Sequence, residues 1–274
     1  MTDETLSESG FYWREREGVK VLVCRDLEEA GFTNGFSTRH GGVSPFPEND
    51  LNLAGFNEDT ADNIYENRRR FLAALGGDYD LATAWQVHGD HIKVVASAAD
   101  AADTDEHADA LISDLPGTLV GVKTADCVPV LIADPRHGAF AAVHAGWRGT
   151  VQSIVLKSIE LMSGRYGSDP ADLVCAIGPA AGCGSYEIGQ NVIDAFASAF
   201  SDSDAYFTPT RTGHAFVDLH LANRRQLNAA GVPDANIRTA PFCTMEHTNL
   251  FFSYRIEKTR FGKTGRLLSV IGRT

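Results

Sequence analysis

Apolar runs separated by glycine, proline and aspartate clusters divide the chain into many short strands and a few helices. Residues 19–24 form the first apolar run of strand length, and 31–37 a second strand that opens into the loop Thr38-Arg39-His40-Gly41-Gly42-Val43-Ser44. Asn49-Asp50-Leu51-Asn52-Leu53 reads as a turn. Asp59-Thr60 caps a helix carried by Ile64, Asn67, Arg68, Phe71, Leu72 and Leu75, and Gly76-Gly77 ends it. Residues 82–95 predict two short strands around His88-Gly89-Asp90, and 98–108 an exposed, weakly helical loop. Strands follow at 110–112 and 118–122. Towards the C-terminus the pattern predicts buried strands over 173–177, 237–240 and 267–271. It also predicts helices carrying Val192, Ile193 and Phe196, and Leu221 and Leu227, the latter capped by Asp218.

The most informative stretch lies in the middle. Apolar runs over 128–133 and 139–143 flank Asp134-Pro135-Arg136-His137-Gly138, whose proline and glycine supply turn chemistry, so the pair predicts a β-hairpin. Cys127 stands where the first strand begins and His144 where the second ends. An antiparallel hairpin brings both to the same end of the sheet. Beyond His144, Ala145-Gly146-Trp147-Arg148-Gly149-Thr150 breaks the strand. A helical pattern of Val151, Ile154, Val155, Ile159 and Met162 follows, with Gly149 or Thr150 as its N-cap. A glycine-bounded helix start carrying an arginine suits an anion.

Composition narrows the class. The 274 residues include 43% hydrophobic and 22% charged positions and no linker-like tract, which points to one large soluble domain. A formal net charge of -12 argues against a nucleic-acid surface, so any anionic ligand must be held by local cations. The acidic N-terminus lacks the basic start and apolar core of an export signal, and no later run suits a membrane span. A cytoplasmic protein is therefore expected. Five unevenly spaced cysteines, Cys24, Cys127, Cys175, Cys183 and Cys243, read as reduced thiols rather than a disulfide framework.

His88, Cys127 and His144 make a chemically sensible zinc set, since three protein ligands with a fourth position open is the catalytic pattern. Copper fits less well, because a copper site needs more clustered histidines and usually an axial methionine. The same sulfur allows a different chemistry, with Cys127 as a nucleophile, His144 as its base, and Asp126 or a distant carboxylate orienting the imidazole. The plainer alternative is a core thiol beside satisfied histidines. Glu187, just before a helix, reads as a capping partner more readily than as an acid or base.

Gln86-Val87-His88-Gly89, Thr124-Ala125-Asp126-Cys127-Val128-Pro129-Val130, Ala142-Val143-His144-Ala145-Gly146-Trp147-Arg148-Gly149 and Phe252-Ser253-Tyr254-Arg255 with Thr264-Gly265-Arg266 together resemble the signatures of the laccase-domain family. That family is also called multicopper polyphenol oxidase-like or purine nucleoside phosphorylase, and some members are named peptidoglycan editing factor. Ser37-Thr38-Arg39-His40-Gly41-Gly42 resembles its N-terminal loop. The resemblance implies an α+β fold, a single domain over 1–274 with a four-layer α/β/β/α sandwich of mixed sheets; within it, residues 1–17 are expected to form a flexible N-terminal segment. It implies zinc on His88, Cys127 and His144. It also implies phosphorolysis of adenosine, inosine, guanosine or methylthioadenosine with hydrolytic deamination of adenosine, by a monomer acting on small molecules. Arg39 and Arg148 are the foremost phosphate candidates, with Arg255 and Arg266 behind them. Cys127, His144 and Asp126 are the catalytic candidates, Asp126 to orient a histidine or act as base. The chain departs from the family at Gly182-Cys183-Gly184-Ser185-Tyr186, where Ser185 replaces a second cysteine. The rival readings are a Cys–His amidohydrolase editing cell-wall precursors, a non-catalytic zinc-bearing partner protein, and a copper polyphenol oxidase.

Overall fold

The central strands, among them residues 19–24, 128–133, 140–145 and 267–273, are buried on both faces, and a strand of that kind must be covered on both sides. A computed structural model, which describes residues 3–45, 50–54 and 59–274, shows how this is done. Its strands are β1 (Phe11–Arg16), β2 (Val19–Cys24), β3 (Thr33–Ser37), β4 (Asp80–Ala82), β5 (Ile92–Val95), β6 (Ala110–Ser113), β7 (Thr118–Thr124) and β8 (Val128–Ala133). Next come β9 (Phe140–Ala145), β10 (Val174–Ile177), β11 (Glu187–Gly189), β12 (Phe207–Pro209), β13 (His214–Val217), β14 (Ile237–Thr239) and β15 (Leu267–Arg273). The helices are α1 (Asp3–Glu8), α2 (Arg25–Glu29), α3 (Ala61–Leu75), α4 (Ala98–Ala102), α5 (Trp147–Val151), α6 (Ile154–Tyr166), α7 (Gln190–Ala199), α8 (Leu219–Ala230) and α9 (Tyr254–Phe261).

One six-stranded sheet runs β1-β2-β3-β15-β7-β4 and a second runs β14-β10-β8-β9-β6-β5, with a small β11-β13-β12 sheet beside them. Both large sheets are mixed, since β4–β7, β5–β6 and β10–β14 are parallel and the other pairs antiparallel. Alternation along single strands reveals the layers. In β15, Leu267 and Ile271 enter the core shared by the two sheets, while Leu268 and Val270 pack on the opposite face with Phe71 of α3. In β8, Leu131 and Ala133 join the shared core, and Val128, Val130 and Ile132 face the cluster built with α6, α7 and α8. The order is thus helix, sheet, sheet, helix, the α/β/β/α sandwich expected for the family. Each large side chain buried in such a layer contributes about 1.5–3 kcal/mol.

Local signals account for the long elements. Thr60 caps α3 by accepting from the Asn63 N–H, and Gly76 ends it in the left-handed region at φ 87°. Asp218 caps α8 through the Leu221 N–H. Three features go beyond what the sequence pattern records. Of the segment 1–17, expected to be flexible, residues 1 and 2 lie outside the described residues, while α1 and β1 fall within 3–16 and Phe11 is fully buried. Only one face of β1 is apolar, so its sequence looks polar. The helix expected from Val151 to Met162 is two helices, parted by Ser153 at φ 60°, and the N-cap of the first is Gly146 rather than Gly149 or Thr150. The strands on either side of His88 belong to different sheets, so the chain crosses from one sheet to the other there. Of the turn Asn49-Asp50-Leu51-Asn52-Leu53, Asn49 lies outside the described residues.

The loop after β3 is tied down by Arg39. Its guanidinium donates to both oxygens of Asp50, to Glu257 Oε1 at 2.8 Å and to the Thr248 carbonyl at 2.6 Å, and it lies over the Phe252 ring. Glu257 belongs to α9, so one buried cation joins this loop to a helix far along the chain. Arg39→Ala leaves two buried carboxylates without their cation. It is expected to lower unfolding free energy by about 3–5 kcal/mol, measured by urea denaturation.

Candidate active site

Three separated segments deliver the chemistry. Pairing of Val128 with Ala145 and Pro129 with His144 sets the β8–β9 register, and this places Cys127 and His144 at one end of the second sheet, as the hairpin predicted. Cys127 follows Asp126, which sits at φ 83°. That left-handed residue turns the chain out of β7 and into β8. His88, itself at φ 60°, comes from the crossing between the sheets. Backbone conformations of this kind in non-glycine residues cost roughly 1–3 kcal/mol each and persist where surrounding bonds hold them.

The bonds that hold them are visible. Asp109, fully buried just before β6, accepts at Oδ1 from the His88 N–H (2.9 Å) and at Oδ2 from the Val87 (3.1 Å) and Gly89 (2.7 Å) N–H groups. Its Oδ1 also faces His144 Nδ1 at 2.7 Å. The ligand atoms of His88, Cys127 and His144 all lie within 4.8 Å of one another. Small side-chain adjustments bring a spread of that size within reach of a single ion. Space is tight: a Cβ on Gly146 would stand 3.0 Å from Cys127 Sγ and 3.2 Å from His88 Cδ2. Glycine keeps that volume open.

The charges are coupled. Burial alone would raise the Cys127 thiol, but the His144 charge and hydrogen bonds from both histidines prevail and hold it well below its usual range. Burial would lower His144, yet the Cys127 thiolate and the Asp109 hydrogen bond push it up. The two shifts are mutual, each partner favouring the charged form of the other. Asp109 is held down, against burial, by His144 and by the Gly89 and Val87 N–H groups. A metal takes a thiolate and a neutral imidazole with one ring nitrogen free, so affinity is expected to weaken as pH falls and protons compete for both.

These residues open into a cleft of about 680 Å³, within the roughly 300–1,000 Å³ usual for small-molecule sites. Trp85, Trp147, Tyr186 and Tyr254 provide aromatic walls, and Lys123, Arg148, Arg255 and Arg266 bring four cations to it. Three of the arginines stack on those walls, Arg148 on Trp147, Arg255 on Tyr186 and Arg266 on Tyr254. A cationic cleft on a chain of net charge -12 is a local device.

Arg148, Arg255 and Arg266 are thus brought together as expected, whereas Arg39 does not line the cleft. Its guanidinium is bound to Asp50, Glu257 and Thr248. Asp126 lines the cleft but does not orient a histidine. It accepts from Thr244 Oγ1, Ser253 Oγ and the Arg255 N–H, fixing the start of α9, and burial raises its carboxyl against those donors. Asp109 has the orienting position instead. Glu187 is half-buried, its carboxylate paired with Arg211 and its carbonyl accepting from Arg255. Sequence reasoning missed Asp109 and Lys123. The available signal was a lone aspartate between two alanines where a buried strand begins.

The family described as multi-copper polyphenol oxidoreductase laccase matches residues 33–274. The chain belongs to this family. The purine nucleoside phosphorylase of Deinococcus radiodurans is 38% identical over 257 residues, 93% of this chain and 93% of that protein. Purine nucleoside phosphorylase YlmD of Geobacillus stearothermophilus is 36% identical over 267 residues, 94% and 96% of the two chains. The crystal structure of YlmD superposes with a TM-score of 0.86 at 35% identity, covering 94% of this chain and 97% of that one. That of the hypothetical protein YfiH of Bacillus licheniformis gives 0.87 at 33%, covering 96% and 99%. The sandwich is therefore the fold of this laccase-like family.

Gly146→Ala tests the packing of the site. It is expected to weaken metal binding by about tenfold, read by chelator competition, while the melting temperature of the metal-free protein changes little.

Proposed function

We propose that the cleft is the active site of a zinc-dependent purine nucleoside phosphorylase, a cytoplasmic monomer converting adenosine, inosine, guanosine or methylthioadenosine and phosphate to base and ribose 1-phosphate. Hydrolytic deamination of adenosine is its second activity. The reading rests on one observation: a His–Cys–His donor set shares a cleft with stacked arginines, in a chain whose relatives are named purine nucleoside phosphorylase.

His88, Cys127 and His144 suit zinc, being two imidazoles and a thiol already inclined to lose its proton. Bound zinc supplies Lewis-acid chemistry. The chain's own residues do the rest. Trp85 and Tyr254, 51% and 48% exposed, offer ring faces on which a purine can stack. Arg148 and Arg255, with Arg266 beside them, hold phosphate for attack on C1′, as the bond to the purine breaks and charge spreads over sugar and base. Asp126 contributes by holding the Arg255 backbone, which aims that side chain at the cleft.

A second reading has its own observation. Cys127, His144 and Asp109 form a thiol–imidazole–carboxylate line, the arrangement of a cysteine nucleophile with its base and orienting acid. This suits an amidohydrolase acting on cell-wall precursors. Both readings need Cys127, but only the zinc reading predicts inhibition by a strong chelator with recovery on adding zinc.

The direct test follows adenine, ribose 1-phosphate and inosine from adenosine, with and without phosphate, and measures metal content on the same sample. Phosphate-dependent adenine release from protein carrying about one zinc per chain is expected. No product from fully metallated protein overturns the reading. His88→Ala, Cys127→Ala and His144→Ala are each expected to lose zinc and turnover together while keeping the fold. Arg148→Ala is expected to raise KM for phosphate by about tenfold or more, with zinc content unchanged.

A further inference from the structure

Both histidines of the donor set hang on one buried carboxylate. Four donors converge on the two oxygens of Asp109: the Val87, His88 and Gly89 backbone N–H groups and His144 Nδ1. The Asp109 carbonyl additionally accepts from the His144 N–H at 2.7 Å. Three of the four side-chain contacts are backbone amides, which can only donate. A carboxylate accepts on both oxygens, so it satisfies all of them.

The same acceptor settles the state of His144. With Oδ1 at 2.7 Å, Nδ1 keeps its proton, and Nε2 is left as the ring nitrogen whose lone pair can reach a metal beside Cys127. Three consecutive amides gathered on one carboxylate also explain why His88 stays in the left-handed region at φ 60°.

We infer that Asp109 is the positioning residue of the metal centre: it makes His144 an Nε2 ligand and shapes the 87–89 turn that carries His88 to the same point. This rests on reading His88, Cys127 and His144 as the metal ligands.

Asp109→Asn is nearly isosteric and cannot serve all four donors. An amide NH2 placed at Oδ2 opposes the Val87 and Gly89 N–H groups. Placed at Oδ1, it opposes the His88 N–H and offers His144 Nδ1 a donor, driving the imidazole proton to Nε2. The zinc dissociation constant of Asp109→Asn, from competition with a chromophoric chelator, is expected to rise about 10–100-fold, with Asp109→Glu recovering part of the loss. The visible spectrum of the cobalt(II)-substituted protein should change, while circular dichroism of the metal-free protein does not. A dissociation constant within about twofold of wild type, with an unchanged cobalt spectrum, overturns the inference. Nitrogen-15 spectra of zinc-loaded, histidine-labelled wild type give an answer without any variant. A proton on His144 Nδ1 supports the inference, and one on Nε2 overturns it. Failure of wild type to bind zinc would instead bring down the metal-ligand reading, and this inference with it.

Discussion

Face-to-face packing of two sheets, each backed by helices, fills the space between the sheets mainly with apolar side chains and leaves the strand ends for a polar site. Leu22, Phe36, Val120, Leu131, Phe140 and Ile271 fill the space between the sheets, and each is buried to within a per cent of completeness. The polar groups of the site lie at strand ends, where the backbone leaves the ladder and its amides become available. Asp109 precedes β6, Cys127 precedes β8, and His144 lies one residue from the end of β9. The site is where it is because the layers exclude it from elsewhere. Its low-dielectric walls then strengthen each interaction among thiol, imidazole and carboxylate.

Much of this was legible in the sequence, and the reason differs from element to element. Runs buried on both faces announced β2, β8, β9 and β15, and capping residues fixed α3 and α8. The hairpin placed Cys127 beside His144 from turn chemistry alone. Strand β1 was hidden because its outer face is charged, and the small β11-β13-β12 sheet because three- and four-residue strands carry almost no periodicity. The separation of β4 from β5 was unreadable for another reason: sheet membership is decided by packing between distant strands, which no local pattern records.

Arg39 shows the same limit in side-chain chemistry. An arginine in a glycine-rich loop suits an anion equally well whether the anion is a ligand or a buried carboxylate of the same chain. Asp50 lies nearby in sequence, but Glu257 is 218 residues away. Arg148, Arg255 and Arg266 escaped that fate because aromatic rings, which remove no charge, are their neighbours. Arg255 also donates to the Glu187 carbonyl and Arg266 to the Gly265 carbonyl; ring and carbonyl contacts of this kind do not neutralise a guanidinium, whereas two carboxylates do.

The two aspartates complete the contrast. Asp126 adjoins the cysteine in sequence, and proximity alone made it the natural partner for a histidine. Its left-handed backbone sends the carboxylate towards Thr244, Ser253 and α9, where it fixes one wall of the cleft. Asp109 is 35 residues from His144 and reaches it because β6 and β9 are neighbours in register, Ala110 opposite Val143. Strand pairing therefore selects which carboxylate serves the imidazole. The thiol–imidazole–carboxylate line so formed is neutral between metal binding and nucleophilic catalysis. The exposed His88, carried in by the third segment and held on that same carboxylate, is what favours a metal. Its ring nitrogen adds the third donor that a metal ion needs beside the thiol and His144.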